Sequence, residues 1–537
     1  MELYPFSKLR RRSRWPALRQ VGAFVAAAVC WAGAYASVDS APRPNVLLLL
    51  SDDLGPGDLR CYNPEGKIAT PHLDRLAAEG LRFTAAHTPS ALCAPTRYSL
   101  LTGNYPWRGS EPQGTWGYHG GTQFLEGQKT VGHLLQAAGY RTALLGKSNV
   151  GGFFEENAGG EIDWSRPMRN GAPQWGFDYS CVMLTGHQGP PYAWIEDGRL
   201  AGDPARMTRL PKGPLNGGHI EAEGPGLPDW DSRQVGATLL EKTGGFLDRH
   251  LAQNRAAGEN KPFYIHLSTD GGHSPFTPPD EIGGVPVKGA TGIGAQADMV
   301  HQVDVLLGHL RRMLAERGLL ENTLIVFTSD NGGMPRLRQF GHDAVAGLRS
   351  GKMSIYEGGH RVPLIAWWGG ASAPGRLIPG SVSRHLIGAH DLVPTFVELA
   401  GGTVPADQAL DAVSLASVVT GRQPEDQPVR TQLLLQSGRV INDTIAPIAA
   451  SLRHLPKPGD AGDGKIPLAF ALQEGSWKLV IDSDGVPAGL YHLGDDPAEA
   501  TDLSGRPEQA ERVRRMLAEY LHIRRSTRST PVSVAIR

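Results

Sequence analysis

The chain has 537 residues, of which 53 are Lys or Arg and 54 are Asp or Glu, so its formal net charge is −1. This balance gives no basis for general attraction to nucleic acid or to an anionic membrane surface. A hydrophobic content of 40% supports a large buried core and argues against a disordered chain. The 68 glycines and 41 prolines show no Gly-X-Y period, so they indicate long shaped loops and exclude a collagen-like repeat.

Residues 1–36 have the pattern of a cleavable signal peptide. Basic side chains between Lys8 and Arg19 precede the apolar stretch Val21–Ala36, which ends in an A-x-A cleavage pattern. The apolar stretch is shorter than the roughly 20 residues of a membrane-spanning helix, and polar residues from Ser37 onward follow at once, so we expect no stable membrane anchor. We therefore predict an exported protein, periplasmic or secreted.

Loss of this segment would remove Cys30 and leave Cys61, Cys93 and Cys181 in the mature chain. Exported proteins meet an oxidising environment, in which cysteines usually pair. An odd number indicates that one of the three is reactive or modified, and the count alone does not say which one.

Four short apolar runs predict buried strands, and each leads into polar residues. Continuous apolar runs are typical of strands covered on both faces, as in a parallel sheet. The runs, with the polar residues that follow them, are Val46–Leu50 before Asp52 and Asp53, Thr142–Leu145 before Lys147, Phe263–Leu267 before Asp270 and His273, and Leu324–Thr328 before Asp330 and Asn331.

Amphipathic patterns between these runs predict helices over Val131–Ala138 and Val300–Leu314. Alternating strands and helices predict an α/β fold, with a large and mostly parallel sheet sandwiched by helices. Ligands of such sheets bind beyond the carboxyl ends of the strands, so we expect the polar residues above to meet at one rim.

The rest of the chain carries weaker signals. Residues 151–231 are rich in Gly, Pro and Trp without clear periodicity, which predicts long loops over the rim. Trp477–Ile481 and Gly489–Leu493 predict two antiparallel strands, and Pro507–Ile523 predicts an amphipathic helix. We therefore predict an N-terminal domain over residues 43–403 and a smaller C-terminal α+β subdomain, with an antiparallel sheet, over residues 404–530.

Four oxygen-donating residues stand at two of the predicted strand ends: Asp52, Asp53, Asp330 and Asn331. Oxygen ligands without nearby pairs of Cys or His favour Ca²⁺ or Mg²⁺ over Zn²⁺. Each pair alone is as well explained by a solvent-exposed turn, because Asp and Asn are common turn residues. Their joint occurrence at neighbouring strand ends favours a metal site.

The sharpest local pattern is the segment from Cys93 to Arg97. Pro95 suits the first turn of a helix that runs to Gly103, which places Cys93 at the helix N-terminus. A helix N-terminus stabilises negative charge and binds sulfate or phosphate through free N–H groups, and Arg97 adds a cation one turn later. The alternative is a structural or disulfide-bonded cysteine.

With these residues identified, the chain resembles the type I, formylglycine-dependent sulfatases of the arylsulfatase family, in the alkaline phosphatase superfamily. The family motif Cys-x-Pro-x-Arg, followed by Leu-Thr-Gly, stands here as CAPTRYSLLTG. The other matching blocks follow in the expected order and cover most of residues 43–505: PNVLLLLSDDLG, TPHLDRLAAEGLRFT, AAGYRTALLGK, FTSDNGG, GKMSIYEGGHRVP and LYHLGDDPAEATDL.

The resemblance implies that a formylglycine-generating enzyme oxidises Cys93 to Cα-formylglycine during maturation. One hydroxyl of the hydrated aldehyde would attack sulfur and expel the alcohol, and the other would then collapse to release sulfate. The resemblance further implies that Ca²⁺, with Mg²⁺ as the alternative, is bound by an oxygen of modified Cys93 and by the quartet Asp52, Asp53, Asp330 and Asn331.

The resemblance also assigns the positive charges. Lys147 would contact the sulfate and the diol, Lys352 the sulfate oxygens, and Arg97 the hydrated aldehyde. His273 would contact the ester oxygen and protonate the leaving group. His360, at a position that varies in the family, is expected to be structural.

One position departs from the family pattern. The family usually has Lys-Trp-His-Leu-Gly where this chain has Lys147-Ser-Asn149-Val-Gly. Asn149 can hydrogen-bond the formylglycine but cannot accept a proton at neutral pH. A loop histidine replaces the missing one, Asn149 suffices with lower activity, or the site has changed to another ester.

Our leading hypothesis is an exported sulfatase that hydrolyses an O-sulfate ester of a small molecule or, preferably, a carbohydrate. The preference for sugar rests on aromatic side chains in the predicted loops, at Trp107, Trp116, Trp164, Trp175, Tyr192 and Trp194. The alternatives are a phosphonate or phosphodiester hydrolase on the same scaffold and a degenerate, sulfatase-like binding protein. If Cys93 is the modified residue, Cys61 and Cys181 are left to form a disulfide.

Overall fold

The computed structural model describes residues 43–111, 114–118, 121–369, 379–438, 468–482 and 484–530. The predicted signal peptide lies outside these residues. Within the described ranges, no helix has both the length and the apolar character needed to cross a membrane.

A ten-stranded sheet forms the centre of the described chain. Its strands, in chain order, are β1 (Asn45–Ser51), β2 (Leu81–Phe83), β3 (Arg141–Lys147), β4 (Tyr179–Met183), β5 (Ile195–Glu196), β6 (Arg199–Leu200), β7 (Phe263–Ser268), β8 (Thr323–Ser329), β9 (Leu364–Trp368) and β10 (Ser381–Ser383). Their order across the sheet is β10-β2-β9-β8-β1-β7-β3-β4-β5-β6. The five central strands from β8 to β4 are parallel, and both β9 and β5 run antiparallel to them. The four predicted strands, now β1, β3, β7 and β8, are confirmed.

Helices cover both faces of this sheet. The described helices are α1 (Pro71–Glu79), α2 (Cys93–Thr102), α3 (Val131–Ala137), α4 (Val235–Ala257), α5 (Ala295–Glu316), α6 (Glu357–His360), α7 (Leu392–Leu399), α8 (Ala416–Val419) and α9 (Ala510–Arg525). Alternate residues of β1 point to opposite faces, so Leu48 packs in one core cluster with α2, α3 and α7, and Leu49 packs in the other with α1, α4 and α5. The predicted α/β fold is confirmed.

The prediction of continuous loops over residues 151–231 is wrong for its middle part. This stretch contributes β4 to the parallel block and β5 and β6 to the sheet edge, and all five residues of β4 are buried. The strand escaped prediction because it is short, contains Ser180, and lies among Gly- and Pro-rich segments. Two short antiparallel ladders follow it, pairing Thr208–Leu210 with Gly224–Gly226 and Gly213–Leu215 with Gly218–Ile220.

A second, four-stranded antiparallel sheet lies near the C-terminus. Its strands, in order, are β11 (Gln432–Gln436), β12 (Phe470–Glu474), β13 (Trp477–Ile481) and β14 (Pro487–His492). The two predicted strands and the helix, now β13, β14 and α9, are confirmed, whereas β11 and β12 were not foreseen. The sheet packs with α9 and with Tyr105 and Ile355 of the preceding chain. A domain boundary between residues 403 and 404 stays a prediction.

The predicted disulfide is wrong, because Cys61 and Cys181 are both free. The Tyr62 hydroxyl, next to Cys61, donates to the Leu364 carbonyl in β9, and Cys181 lies in β4, five positions along the sheet. At about 4.8 Å between neighbouring strands, β9 and β4 lie about 24 Å apart, so the two cysteines are far beyond the reach of a disulfide bond. Burial raises the pKa of both thiols to about 12, which disfavours the reactive thiolate.

Candidate active site

The carboxyl ends of strands β1, β8 and β3 bring predicted residues together at one rim of the sheet. β1 and β8 are in register at Ser51 and Ser329, so the acidic pairs that follow them meet directly. The Asp53 N–H donates to Asp330 Oδ1 at 3.3 Å. Asp53 has a φ of 60°, in the left-handed region, which turns the chain sharply at the strand end. β3, two strands from β1, ends in Lys147.

Helix α2 begins at Cys93, as predicted, and delivers Arg97 into the same place. The Arg97 guanidinium is 1% exposed and donates from Nε and Nη2 to Asp330 Oδ2, at 2.9 and 2.6 Å. Its Nη1 donates to the Lys147 carbonyl at 2.8 Å. Arg97 therefore joins α2, β3 and the acidic residues in one buried arrangement.

Two lysines complete what we call the strand-end cluster, which consists of Asp52, Asp53, Asp330, Asn331, Arg97, Lys147 and Lys352. The Lys147 ammonium donates to Asp52 Oδ2 at 2.7 Å, and both side chains are fully buried. The Lys352 ammonium contacts Asp53 Oδ1. The cluster thus places three cations against three carboxylates.

Burial and charge act against each other in this cluster. Burial alone would raise the pKa of Asp52, but the positive charge of Lys147 and its neighbours holds that pKa well below its usual range. For Asp330, burial and the negative charge of Asp52 raise the pKa to about 7. Crowded carboxylates of this kind are stabilised when a divalent cation shares them.

The residues present fit a hard divalent cation. Asp52 Oδ1 and Asn331 Oδ1 are buried and have no hydrogen-bond partner among the described residues. The Asn331 amide nitrogen donates to Asp53 Oδ1 at 2.9 Å and to the Gly332 carbonyl at 3.0 Å, which leaves its oxygen as a free donor of electron pairs. Carboxylate and amide oxygens are the ligands that Ca²⁺ and Mg²⁺ prefer.

Asn149, the departure from the family pattern, lies beside Cys93. Its amide Nδ2 is 3.5 Å from Cys93 Sγ, and its Oδ1 is buried without a partner among the described residues. The residue has a φ of 50°, a conformation that Asn adopts more readily than most residues. The Asn149 side chain is therefore aimed at the predicted nucleophile.

His273 lies next to the acidic residues and lines the same cavity as Cys93. Its Nε2 is 3.9 Å from Asp53 Oδ2, and its Nδ1 is 2.6 Å from the Ser274 carbonyl. A carbonyl oxygen can only accept, so Nδ1 carries the proton in the neutral ring. Burial and the charge of Lys352 lower the pKa of His273 to about 4, which makes the neutral form dominant at pH 7.

A cavity of about 260 Å³ opens at this rim. Four predicted residues line it directly: Cys93, Asn149, His273 and Lys352. Asp53 also reaches its wall, whereas Arg97 and Lys147 lie behind the surface. The further lining residues are Leu92, Thr115, Thr185, Gln188, Ser274, Met334, Arg336 and Met353. Sequence patterns gave no signal for most of these, because they belong to irregular loops without periodicity.

The aromatic residues that suggested a sugar-binding pocket do not line this cavity, so that argument is wrong. Trp175 and Tyr192 are buried in the core, and Trp107 stacks on Tyr105 with ring centroids 4.5 Å apart. Large aromatic side chains more often fill a core than a pocket. The other members of the set also pack on aromatic or core residues: Trp116, Trp164 and Trp194.

Comparisons with known proteins agree with this geometry. A family model described as Sulfatase matches residues 44–402. The chain is 33% identical to human arylsulfatase A over 391 residues, which are 71% of this chain and 69% of that protein. It is 28% identical to an N-acetylgalactosamine-6-O-sulfatase of Bacteroides thetaiotaomicron over 89% of this chain and 92% of that protein.

The fold comparison gives the same answer. A solved structure from work on the metabolism of multiple glycosaminoglycans by Bacteroides thetaiotaomicron superposes with a TM-score of 0.72, at 25% identity over 89% of this chain and 98% of that chain. The chain therefore belongs to the sulfatase family and is a sulfuric ester hydrolase.

Proposed function

We propose that this sulfatase is exported, removes sulfate from a sulfated carbohydrate, and uses Cα-formylglycine made from Cys93 together with a bound Ca²⁺. The observation that carries the proposal is the placement of Cys93 at the start of a buried helix, on the wall of a cavity shared with Lys352 and His273. The bacterial relative named above is by name an N-acetylgalactosamine-6-O-sulfatase, which supports a carbohydrate substrate.

The modified residue and the metal would supply defined chemistry. The hydrated aldehyde provides a hydroxyl nucleophile for sulfur, and Ca²⁺ would be held by the oxygens of Asp52, Asp53, Asp330 and Asn331 and neutralise charge on the sulfate. Mg²⁺ fits the same donor types and is the alternative ion.

The protein's own residues then hold the ester and its charge. Lys352 faces the cavity and binds a sulfate oxygen, and Lys147, placed behind it against Asp52, adds positive charge next to the reacting centre. A cation about 4 Å from developing negative charge contributes roughly 4 kcal/mol at an effective dielectric of 20. Arg97 fixes the helix start that carries residue 93 through its bonds to Asp330 and Lys147.

His273 and Asn149 handle the remaining contacts. With its Nδ1 proton held by the Ser274 carbonyl, His273 presents Nε2 to the cavity. A bound sulfate ester brings negative charge next to this ring and favours the protonated form, which can donate to the leaving oxygen. Asn149 hydrogen-bonds the group at position 93 and orients it without taking its proton.

The decisive experiment is mass analysis of the tryptic peptide from Phe83 to Arg97, in protein made with a formylglycine-generating enzyme. We expect the aldehyde mass at position 93, together with release of inorganic sulfate from sulfated saccharides. An intact thiol and no turnover of any ester would instead indicate a sulfatase-like binding protein.

Matched sulfate and phosphate esters separate the remaining alternative. We expect faster turnover of the sulfate ester than of a phosphate monoester, because three buried cations already oppose three carboxylates and a monoanionic sulfate ester adds less charge than a dianionic phosphate monoester. Phosphodiesters and phosphonate monoesters carry the same single charge as a sulfate ester, so for them the measured rates alone decide. Faster phosphate or phosphonate turnover would reject the proposal. Cell fractionation that leaves the mature enzyme in the cytoplasm would reject the export part.

A further inference from the structure

One cation on the cavity wall, Arg336, forms no ion pair with any residue that the structure describes. Arg336 lines the cavity with Cys93 and Lys352, and its side chain is exposed. In the part of the chain that the structure describes, no carboxylate lies within ion-pair distance of it, and its guanidinium lies 5.9 Å from the ring centroid of Phe276. Arg338, in the same turn, is paired with Asp343 at 2.9 Å.

The loop that carries Arg336 is fixed against the loop that carries Lys352. The Lys352 N–H donates to the Gly333 carbonyl at 3.1 Å. A Cβ atom placed on Gly351 would lie 2.7 Å from Pro335 Cδ, so the buried proline ring rests directly on the Gly351 backbone. Arg336 follows Pro335 at the start of a 3₁₀ turn. Its backbone is therefore held at a fixed position relative to Lys352, the proposed sulfate-binding lysine.

The size of the cavity indicates what Arg336 would meet. A volume of about 260 Å³ lies just below the range of roughly 300–1,000 Å³ that is typical of small-molecule pockets, so the cavity suits a single substituted sugar ring. Lys352 of the strand-end cluster lines this cavity and is already assigned to the sulfate to be cleaved. An unpaired guanidinium at the open edge is free to bind a charge on the next unit, and its planar fork fits carboxylate and sulfate oxygens equally well.

We infer that Arg336 binds a second anionic group, a sulfate or a carboxylate, on the sugar unit next to the one that loses its sulfate. The inference rests on the proposed function and deepens it, because it identifies the substrate as a polyanionic oligosaccharide. It also assigns specificity to a residue outside the strand-end cluster.

The test uses three saccharides that share one cleavable sulfate. One is a monosaccharide without other charge, and two are disaccharides whose neighbouring unit carries either a carboxylate or a second sulfate. The mature wild-type enzyme should prefer at least one disaccharide. Arg336→Gln should lower that preference, measured as the ratio of kcat/KM values, roughly three- to tenfold and mainly through KM, and Arg336→Lys should retain part of it.

Arg338→Gln is the matched control, since Arg338 lies in the same turn, is bonded to Asp343 and does not line the cavity. This variant should keep the wild-type ratios. The disaccharide that loses its advantage in Arg336→Gln shows whether the bound group is carboxylate or sulfate. Unchanged ratios for both disaccharides, or a wild-type enzyme that prefers neither, would overturn the inference.

Failure of the proposed function has a different signature, namely no cleavage of any of the three saccharides by the wild type. Arg336 is then tested by calorimetric binding of the disulfated and the carboxylated disaccharide to a Cys93→Ala protein. Adding Arg336→Gln in that background should raise Kd roughly three- to tenfold for one of them. Equal Kd values with and without the Arg336 side chain reject the inference whether or not the protein is an enzyme.

Discussion

Two buried charged clusters in this molecule look alike and do different things. The first is the strand-end cluster. The second, here called the Lys478 cluster, lies where β13 meets α6 and consists of His87, Glu357, His360, Lys478 and Glu499. Three side chains whose ligand atoms lie within 4.8 Å of one another occur at each place: Asp52 and Asp53 with the neighbouring His273 at the first cluster, and His87, Glu357 and His360 in the second.

The difference lies at the centre of each cluster. In the Lys478 cluster an ammonium takes the place that a cation would need, 3.0 Å from Glu357 Oε1, 2.8 Å from Glu499 Oε1 and 3.1 Å from His360 Nε2. His87 and His360 bond each other through their Nδ1 atoms at 3.0 Å. None of its members lines the cavity of about 260 Å³.

Both clusters hold buried oxygens without a hydrogen-bond partner among the described residues, but in the Lys478 cluster those of Glu357 and Glu499 lie 2.9 and 2.8 Å from the cationic nitrogens of Arg361 and Lys478. In the strand-end cluster they are Asp52 Oδ1 and the neutral amide oxygen of Asn331, and Asp53 and Lys352 of this cluster line the cavity. Ligand spacing therefore does not by itself identify a metal site. The set of carboxylate and amide oxygens beside cavity-lining residues favours the strand-end cluster as the metal site, and the sequence expectation that His360 is structural agrees with its bonded and enclosed position.

The largest effect that would sharpen this comparison is on stability. Glu357→Gln should lower the free energy of unfolding by about 3–5 kcal/mol, because it removes a charge partner of the fully buried Lys478. Urea denaturation measures the change. The double variant Glu357→Gln with Lys478→Met should recover part of the lost free energy of unfolding. If Glu357→Gln alone stays within about 1 kcal/mol of wild type, the cluster does not stabilise the fold.

Removal of the divalent ion should act on the other cluster alone. Chelation of the mature enzyme should lower kcat about 100-fold or more and lower Tm, since the carboxylates would lose a shared counter-charge. Added Ca²⁺ should restore both quantities. The Glu357→Gln variant, measured on its folded fraction, should respond to Ca²⁺ like wild type, and activity that ignores chelation would contradict the proposed metal site.

The histidines of the Lys478 cluster should make stability fall in acid. Burial lowers the pKa of His87 to about 3, from 6.5 in the unfolded chain, so between these values only the unfolded state takes up the proton. One such group costs about 1.4 kcal/mol per pH unit, or about 2 kcal/mol between pH 6.5 and about pH 5. His87→Gln should flatten this dependence in denaturation curves, while the same replacement at half-exposed His219 should not.

The smallest expected effect concerns Asn149. Asn149→Gly should lower kcat about tenfold, because it removes the hydrogen bond to residue 93 while tolerating the positive φ. Asn149→His should have a higher kcat than Asn149→Gly. Because the introduced histidine titrates near neutral pH, kcat should also become pH-dependent in that range. If the glycine variant keeps full kcat, orientation by Asn149 is not part of the reaction.

The sequence predicted the site better than its surroundings. Asp52, Lys147 and Asp330 follow strands that read clearly as buried apolar runs, and strand order then places their ends together. The strand at Tyr179–Met183 carries no such run and was missed. The bonds that join Arg97 to Asp330 and Lys147 to Asp52 depend on side-chain reach across the rim, which spacing along the chain does not encode.

Arg336 is a further residue whose position in the site could not be predicted from the sequence. Its residue type is ordinary for an exposed turn, and it is distinguished by its place on the cavity wall and by the lack of a carboxylate partner among the described residues. The aromatic residues led to a wrong prediction of a sugar-binding pocket, because aromatic side chains that suit sugar rings are equally suited to a protein core.

The Pro335–Gly351 contact has a consequence for how this enzyme can diversify. Gly332 bonds Gly359 at 2.9 Å and Lys352 bonds Gly333 at 3.1 Å, so the stretch between Asn331 and Lys352 is closed at its base. Asn331, which we propose to bind the metal ion, and Lys352, which we propose to bind sulfate, mark its two ends, and Arg336 lies between them. If relatives exchanged the segment between Asn331 and Lys352, substrate specificity would change with it. The hydrogen bonds at the base of the segment would keep the residues of the strand-end cluster in place.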